Sequence, residues 1–210
     1  MSVAAFIAIV FLLTMYVVLD GYDLGVASIA LLIARGDRER ATVMASIGPF
    51  WNGNEVWLIA AGAALFALFP AAYASSFSGF YLPFIIVLWL LMFRGIALEL
   101  REHFSSELWH QFWDASFSLS SGLLIFILGL ALGNLLRGVP LNSEGYFQGT
   151  FAFLLNPYAL LVGLFAVLTL GVHGGAFAAT RIEGELGARA MRLARRGSWA
   201  VLALYLAVTA

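Results

Sequence analysis

Cysteine and lysine are both absent from these 210 residues, and only 11% of the chain is charged. Without cysteine there is no disulfide, no thiolate metal site and no cysteine nucleophile. An excess of charge of one sign is lacking as well. Eleven arginines against 12 acids leave a formal net charge of −1, which excludes the basic surface that nucleic acid requires. No basic stretch precedes the first apolar run and no small-x-small cleavage site follows it, so the N-terminus reads as a retained helix rather than a signal peptide. There is no phosphate loop, G-x-S-x-G, H-E-x-x-H or C-x-x-C, and no self-sufficient catalytic site is expected. Neither an internal repeat nor a low-complexity tract is visible.

What remains is apolar: 62% hydrophobic residues and a mean hydropathy of +0.95, the composition of a membrane protein. A bilayer core takes roughly 20 apolar residues per helix, which predicts five spans, at about 3–34, 55–74, 80–98, 116–136 and 157–180. A sixth run, 198–210, reaches only about 20 Å against a core of ~30 Å. It reads either as re-entrant or as a span cut off at the C-terminus, the sequence then being a fragment or half of something longer. The expected fold class is all-α, a polytopic transmembrane helix bundle comprising a four-helix bundle and the start of a second. Residues 1–136 are assigned to the first bundle, 137–156 to an extracytoplasmic loop and 157–210 to an incomplete second bundle.

The arginines orient these spans. Arg35, Arg38, Arg40, Arg94, Arg101, Arg181, Arg189, Arg192, Arg195 and Arg196 fall on one side, and Arg137 alone on the other. By the positive-inside rule the N-terminus lies outside and the arginine-rich loops are cytoplasmic.

Polar residues inside the spans carry the functional signal, because unpaired polar groups are costly at membrane depth. The run Ile47–Gly48–Pro49–Phe50–Trp51–Asn52–Gly53–Asn54–Glu55–Val56–Trp57–Leu58 packs several of them into a helix start. An interfacial belt accounts for its tryptophans, but not for Asn52, Asn54 and Glu55. Trp51, Asn54 and Trp57 are candidates to face a cofactor. Asp20 and Asp23 are three residues apart and share a helix face. They read as a proton-conducting or charge-compensating pair, or else as a structural ion pair. Arg94 lies five residues before Glu99, about 140° away around the helix, so the two do not pair easily. Its partner is expected on another helix, among Asp20, Asp23 and Glu55, with snorkelling to the interface as the alternative. Arg101 follows as a second compensating cation. His173, among Gly171, Gly174 and Gly175, has the residue type of a haem ligand, although a packed, hydrogen-bonded histidine is the expectation. His103 and His110 read as solvated, and no metal site is expected.

Several motifs together resemble subunit II of the cytochrome bd-type quinol oxidases. They are Asp20–Gly–Tyr–Asp–Leu–Gly25, Gly48–Pro–Phe–Trp–Asn–Gly–Asn–Glu–Val–Trp57, Phe77–Ser–Gly–Phe–Tyr81, Phe93–Arg–Gly–Ile–Ala–Leu–Glu–Leu–Arg101, Leu154–Leu–Asn–Pro–Tyr158 and His173–Gly–Gly. The family is usually longer, with eight or nine helices in two four-helix bundles, and this sequence resembles its N-terminal part. The resemblance implies an accessory, scaffolding subunit in the bacterial cytoplasmic membrane. Its partner is a haem-bearing subunit I that holds two b-type haems and haem d, with room for small single-helix accessory subunits. Such a complex oxidises quinol and reduces O2 to water, and subunit II lines a cytoplasmic proton path. Some relatives also hold a structural quinone. Haem ligands come from subunit I, which leaves none expected here.

One departure stands out. The family commonly has aspartate where this chain has Asn52, and asparagine cannot exchange a proton at physiological pH. Glu55, with Glu99 nearer the cytoplasm, is therefore expected to carry protons, alongside Asp20 and Asp23. Two other function classes compete: a proton- or ion-coupled transporter, for which inverted repeats and broken helices are lacking, and a purely structural assembly subunit.

Overall fold

The computed structural model describes residues 3–209, and these are almost entirely helical. In chain order they form α1 (Val3–Ile33), α2 (Asp37–Ile47), α3 (Trp51–Leu68), α4 (Pro70–Gly79), α5 (Tyr81–Leu100), a 3₁₀ turn (Arg101–His103), α6 (Glu107–Arg137), α7 (Phe151–Leu154), α8 (Pro157–Arg181) and α9 (Gly184–Thr209). The fold is an all-α membrane helix bundle. Four segments, α1, α5 with its 3₁₀ turn, α6 and α8, have the length and hydropathy to cross a bilayer. Exposed Phe6, Ile7, Leu88 and Trp89 are the kind of surface that lipid covers.

α1 is the central helix and packs on α3, α6 and α8. α5 packs on α6, and α8 on α6 and α9. The apolar core forms three layers. Ile33, Val43, Ile47, Ala97 and Phe117 fill the arginine-rich end, Leu24, Val87, Leu124 and Ile125 the middle, and Phe80, Leu130, Leu154 and Ala159 the far end.

Two expected spans are corrected. The stretch at 55–74 is not one helix: α3 starts earlier, at Trp51, and stops at Leu68. Pro70 disfavours helical backbone at the preceding residue, and Phe69 accordingly takes φ −138°, ψ 63° before Pro70 opens α4. The run at 198–210 is not a short separate element. Up to Thr209 it is the apolar half of α9, 26 residues and about 39 Å long, whose other half carries Arg189, Arg192, Arg195 and Arg196.

The 137–156 connection is a compact hairpin-like loop. An isolated antiparallel bridge joins Leu141 and Phe147, and the Asn142 side chain accepts from Glu144 N and Tyr146 N. The Ser75 hydroxyl donates to the Gly145 carbonyl, holding the loop on α4. Asn156 then caps α8 by accepting from Ala159 N at 3.0 Å.

α1 and α8 cross where neither has a side chain. A Cβ at Gly25 would stand 1.9 Å from the Leu170 carbonyl oxygen, and one at Gly174 would stand 2.1 Å from Val26 N. Within lipid, helices associate largely through such close backbone packing. Gly25→Ala is therefore expected to lower the thermal unfolding temperature of the detergent-purified assembly by several degrees. Gly62→Ala on α3, with nothing within 4 Å of its Cβ position, should leave it unchanged. Equal melting of the two variants would contradict the crossing.

Candidate functional site

Arg94 is fully buried on α5 and holds together three helices. Its Nη2 donates to Asp20 Oδ1 on α1 at 2.7 Å, and its Nη1 to Glu55 Oε1 on α3 at 3.4 Å. The pairing across helices expected from the 140° offset to Glu99 is what forms. Asp20 is as buried as Arg94, whereas the Glu55 side chain keeps 23% of its surface. The Trp51 ring lies 5.8 Å from the guanidinium carbon and 3.6 Å from where a Gly95 Cβ would be, so α3 and α5 also meet through this indole.

Asp23 does not pair with Arg94. Its Oδ2 accepts from Asn54 Nδ2 at 2.7 Å, while its Oδ1 is buried without a hydrogen-bond partner. The same amide group reaches the Tyr22 hydroxyl at 2.7 Å and the Leu19 carbonyl at 3.3 Å. Asn54 thus turns inward on α1. Tyr22 in turn stacks on Phe177 of α8, with centroids 4.0 Å apart. Asp20, Asp23, Asn54, Glu55, Arg94 and Trp51 are one constellation contributed by α1, α3 and α5.

The remaining sequence candidates lie apart from it. Asn52 is exposed on α3, and Glu99 is exposed at the end of α5. Trp57 stands edge-on to Phe11, with centroids 6.1 Å apart. His173 Nε2 lies 2.9 Å from the Val18 carbonyl, which can only accept, so Nε2 carries the proton and ties α8 to α1. No group of three His, Cys, Asp or Glu side chains with metal-binding geometry occurs among the described residues.

A second charged cluster, at the arginine-rich end, includes an acid that the sequence reading missed. Asp114 on α6 is buried and accepts from Arg101 Nε at 2.7 Å and Arg40 Nη1 at 3.4 Å. Arg101 also reaches Asp37 Oδ1 at 2.6 Å and Glu102 at 2.5 Å, and His110 Nδ1 is 3.0 Å from the same Asp37 oxygen. Asp114 lies outside the apolar run that begins at residue 116 but inside α6, which begins at Glu107. The available signal was a solitary acid between Trp113 and an apolar helix. Partial burial pushes the Asp37 carboxyl up, but the Arg101 charge and hydrogen bonds from Arg101 and His110 outweigh it, leaving it below the usual carboxylate range.

Two grooves border these elements. One of about 370 Å³ is lined by Met44, Ala45, Trp51, Leu98, Glu99 and Glu102, among others, between α2, α3 and the end of α5. The other, about 350 Å³, is apolar and lies between α1, α6, α8 and α9. Its two hydroxyls are engaged within the fold, Ser28 donating to Gly25 O and Ser118 to Ser28 O. That lining suits a hydrocarbon tail and offers no free hydroxyl donor to a quinone head group.

Two outcomes follow. Arg94→Met strands buried Asp20 and should cost about 3–5 kcal/mol, with most of it regained in Arg94→Met/Asp20→Leu, read by thermal unfolding of the assembly. A double variant no more stable than the single one contradicts the pairing. Asp37, with its lowered carboxyl pKa, stabilises the start of α2 above the ordinary carboxylate range and loses this as pH falls through its own value. Protection of the α2 amides, taken as the ratio of intrinsic to observed exchange rate at each pH, should fall below about pH 4, and Asp37→Asn should show that lower protection already at neutral pH.

Known proteins give the constellation a family. The profile described as "Cytochrome bd terminal oxidase subunit II" matches residues 1–210. The chain is 41% identical over 182 residues to "Cytochrome bd-I ubiquinol oxidase subunit 2" of Escherichia coli (strain K12), covering 85% of this chain and 48% of that protein. It is 35% identical over 205 residues to "Cytochrome bd ubiquinol oxidase subunit 2" of Bacillus subtilis (strain 168), covering 98% and 61%. It therefore spans about half to three fifths of these relatives. In fold it is similar to a chain of the bd oxidase from Geobacillus thermodenitrificans, with TM-score 0.79 and 19% identity, covering 98% of this chain and 64% of that one. This multi-pass membrane chain belongs to the cytochrome bd terminal oxidase subunit II family.

Proposed function

We propose that this chain is the accessory, scaffolding part of a terminal quinol oxidase in the bacterial cytoplasmic membrane, and that it lines a proton path toward the haem site of a partner subunit I. The reading extends to the whole complex the activity in the relatives' names, with quinol as electron donor and O2 reduced to water. The haems, held by subunit I, supply the oxygen chemistry. The arginine-rich side is taken as cytoplasmic, with the N-terminus outside.

The observation that carries the proton role is the imbalance around Arg94. Three carboxyl groups, Asp20, Asp23 and Glu55, surround one guanidinium, and this cluster is neutral only when it holds two protons. One carboxylate already balances one guanidinium, so the other two acids exceed what charge pairing with Arg94 requires. The three acids differ in their capacity to exchange. Asp20 is closed in at 2.7 Å from Arg94, so its role is to hold the cation. Glu55 is at 3.4 Å and partly exposed, so it is the member that trades its proton. Asp23, bonded to Asn54 and with one free oxygen, stands as the neighbouring site. Glu99, on the wall of the 370 Å³ groove, collects protons from the arginine-rich side. Asn52 holds water or a partner by hydrogen bonds but passes no proton.

The test is made on the complex purified with its native partner. Its reduced-minus-oxidised spectrum should show b- and d-type haem. Glu55→Gln should lower both turnover with quinol and proton uptake, by about a hundredfold if Glu55 is an obligatory relay. Glu99→Gln, exposed and replaceable by water, should have a smaller effect. A haem-free complex, or wild-type turnover and uptake in both variants, overturns the reading.

A further inference from the structure

We infer that the indole of Trp51 is a gate, a movable apolar barrier between the groove at the arginine-rich end and the buried carboxylates around Arg94. The inference deepens the proton-path reading and rests on it for its biological meaning, but the barrier itself is a property of the geometry.

Three observations meet at this ring. First, Trp51 lines the 370 Å³ groove, whereas Asp20, Glu55 and Arg94 do not. Glu99, Glu102 and Arg101 make the polar part of that lining, so the groove is a place water enters. Second, the same ring is 5.8 Å from the Arg94 guanidinium carbon and within ordinary contact of Gly95. It therefore touches the groove and the buried cluster at once, and nothing polar on the ring's face lets a proton pass. Third, Trp51 is the first residue of α3, directly after the Gly48–Pro49–Phe50 turn. Terminal turns are the first parts of a helix to open, since their backbone lacks half of its hydrogen bonds. A large ring at that position moves without unwinding the span beneath it.

The cation–π contact makes the barrier responsive. It holds the ring closed over an Arg94 whose charge is directed at it. When the carboxylates take up or lose protons, Arg94 is drawn more weakly or more strongly toward Asp20 and Glu55, and the seat of the ring changes with it. The ring sits over Gly95, where a Cβ would be 3.6 Å from its edge, so a side chain longer than alanine's would meet it. A purely structural Trp51 would anchor α3 to α5 but leave access to the buried position 54 independent of the ring.

Access can be read directly because the chain has no cysteine of its own. Asn54→Cys, which replaces a buried side chain next to Glu55, is introduced into the full complex, in membrane vesicles that expose the arginine-rich end. Its reaction with a small water-soluble methanethiosulfonate is timed, with the complex lacking this cysteine as background. Adding Trp51→Ala should speed the reaction several-fold, and Trp51→Phe should restore most of the protection. Adding Ala45→Phe, which fills the exposed groove wall without entering the core, should slow it. An unchanged rate in Trp51→Ala, or in Ala45→Phe should the alanine variant not assemble, overturns the gate. The readout is independent of turnover. Wild-type turnover and uptake in Glu55→Gln would remove the proton path while leaving this barrier standing, and unchanged thiol access would do the reverse.

Discussion

The buried guanidinium of Arg94 is the constraint around which the first helices are arranged. A charge at membrane depth is tolerated only when its partners are close and fixed, and the donors of an arginine fan out in a plane too wide for one carboxylate to satisfy. The partners come from two other helices, Asp20 on α1 and Glu55 on α3. This matters because α3 leans on α1 while α5 leans on α6. The ion pairs and the Trp51–Gly95 contact are what tie α3 to α5. Close glycine crossings then hold α8 against the far side of α1, so the polar cluster is clamped from both sides.

The chain separates two kinds of charged cluster. Around Arg94 acids outnumber the base and burial is complete for the core pair, the arrangement on which the proposed proton role rests. Around Asp114 the bases are Arg101 and Arg40, the outer members Asp37 and Glu102 are largely exposed, and water screens what the protein does not pair. This second cluster fastens α2, the 3₁₀ turn and the foot of α6 together. It also fixes the floor of the groove in which Glu99 stands.

Much of this was legible in the sequence, for reasons that differ residue by residue. Helix geometry removes Glu99 as the partner of Arg94, because about 140° of rotation is not closed by side-chain reach, but it leaves snorkelling open beside a partner on another helix, and only the packed structure shows the pairing. The choice of Asp20 and Glu55 over Asp23 was not legible, since Asp23 is taken by Asn54, and that competition exists only once α1 and α3 are packed. Hydropathy found the helices but misplaced their ends. It weighs composition and not the path of the chain, so the backbone break at Phe69 and the polar start of α9 passed unseen. α2 was missed altogether: its buried face is only Val43, Met44 and Ile47, too short a stripe to register beside long apolar runs.

The polar run that opens α3 is best understood as a helix start whose residues are divided by angle. Asn54 and Glu55 point to α1 and α5, one binding Asp23 and the other Arg94, and Trp51 lines the groove and lies against Arg94. Asn52 is left exposed, about 60° around the helix from Glu55. A carboxylate at position 52 would therefore be a fourth acid outside the inner set, on the surface where a partner subunit can meet it. With asparagine there, this chain keeps hydrogen bonding at that surface and no exchangeable proton. On the proposed reading, a proton moving from the groove toward a partner passes through Glu55, the acid of the cluster that is paired to Arg94 at 3.4 Å and still partly open.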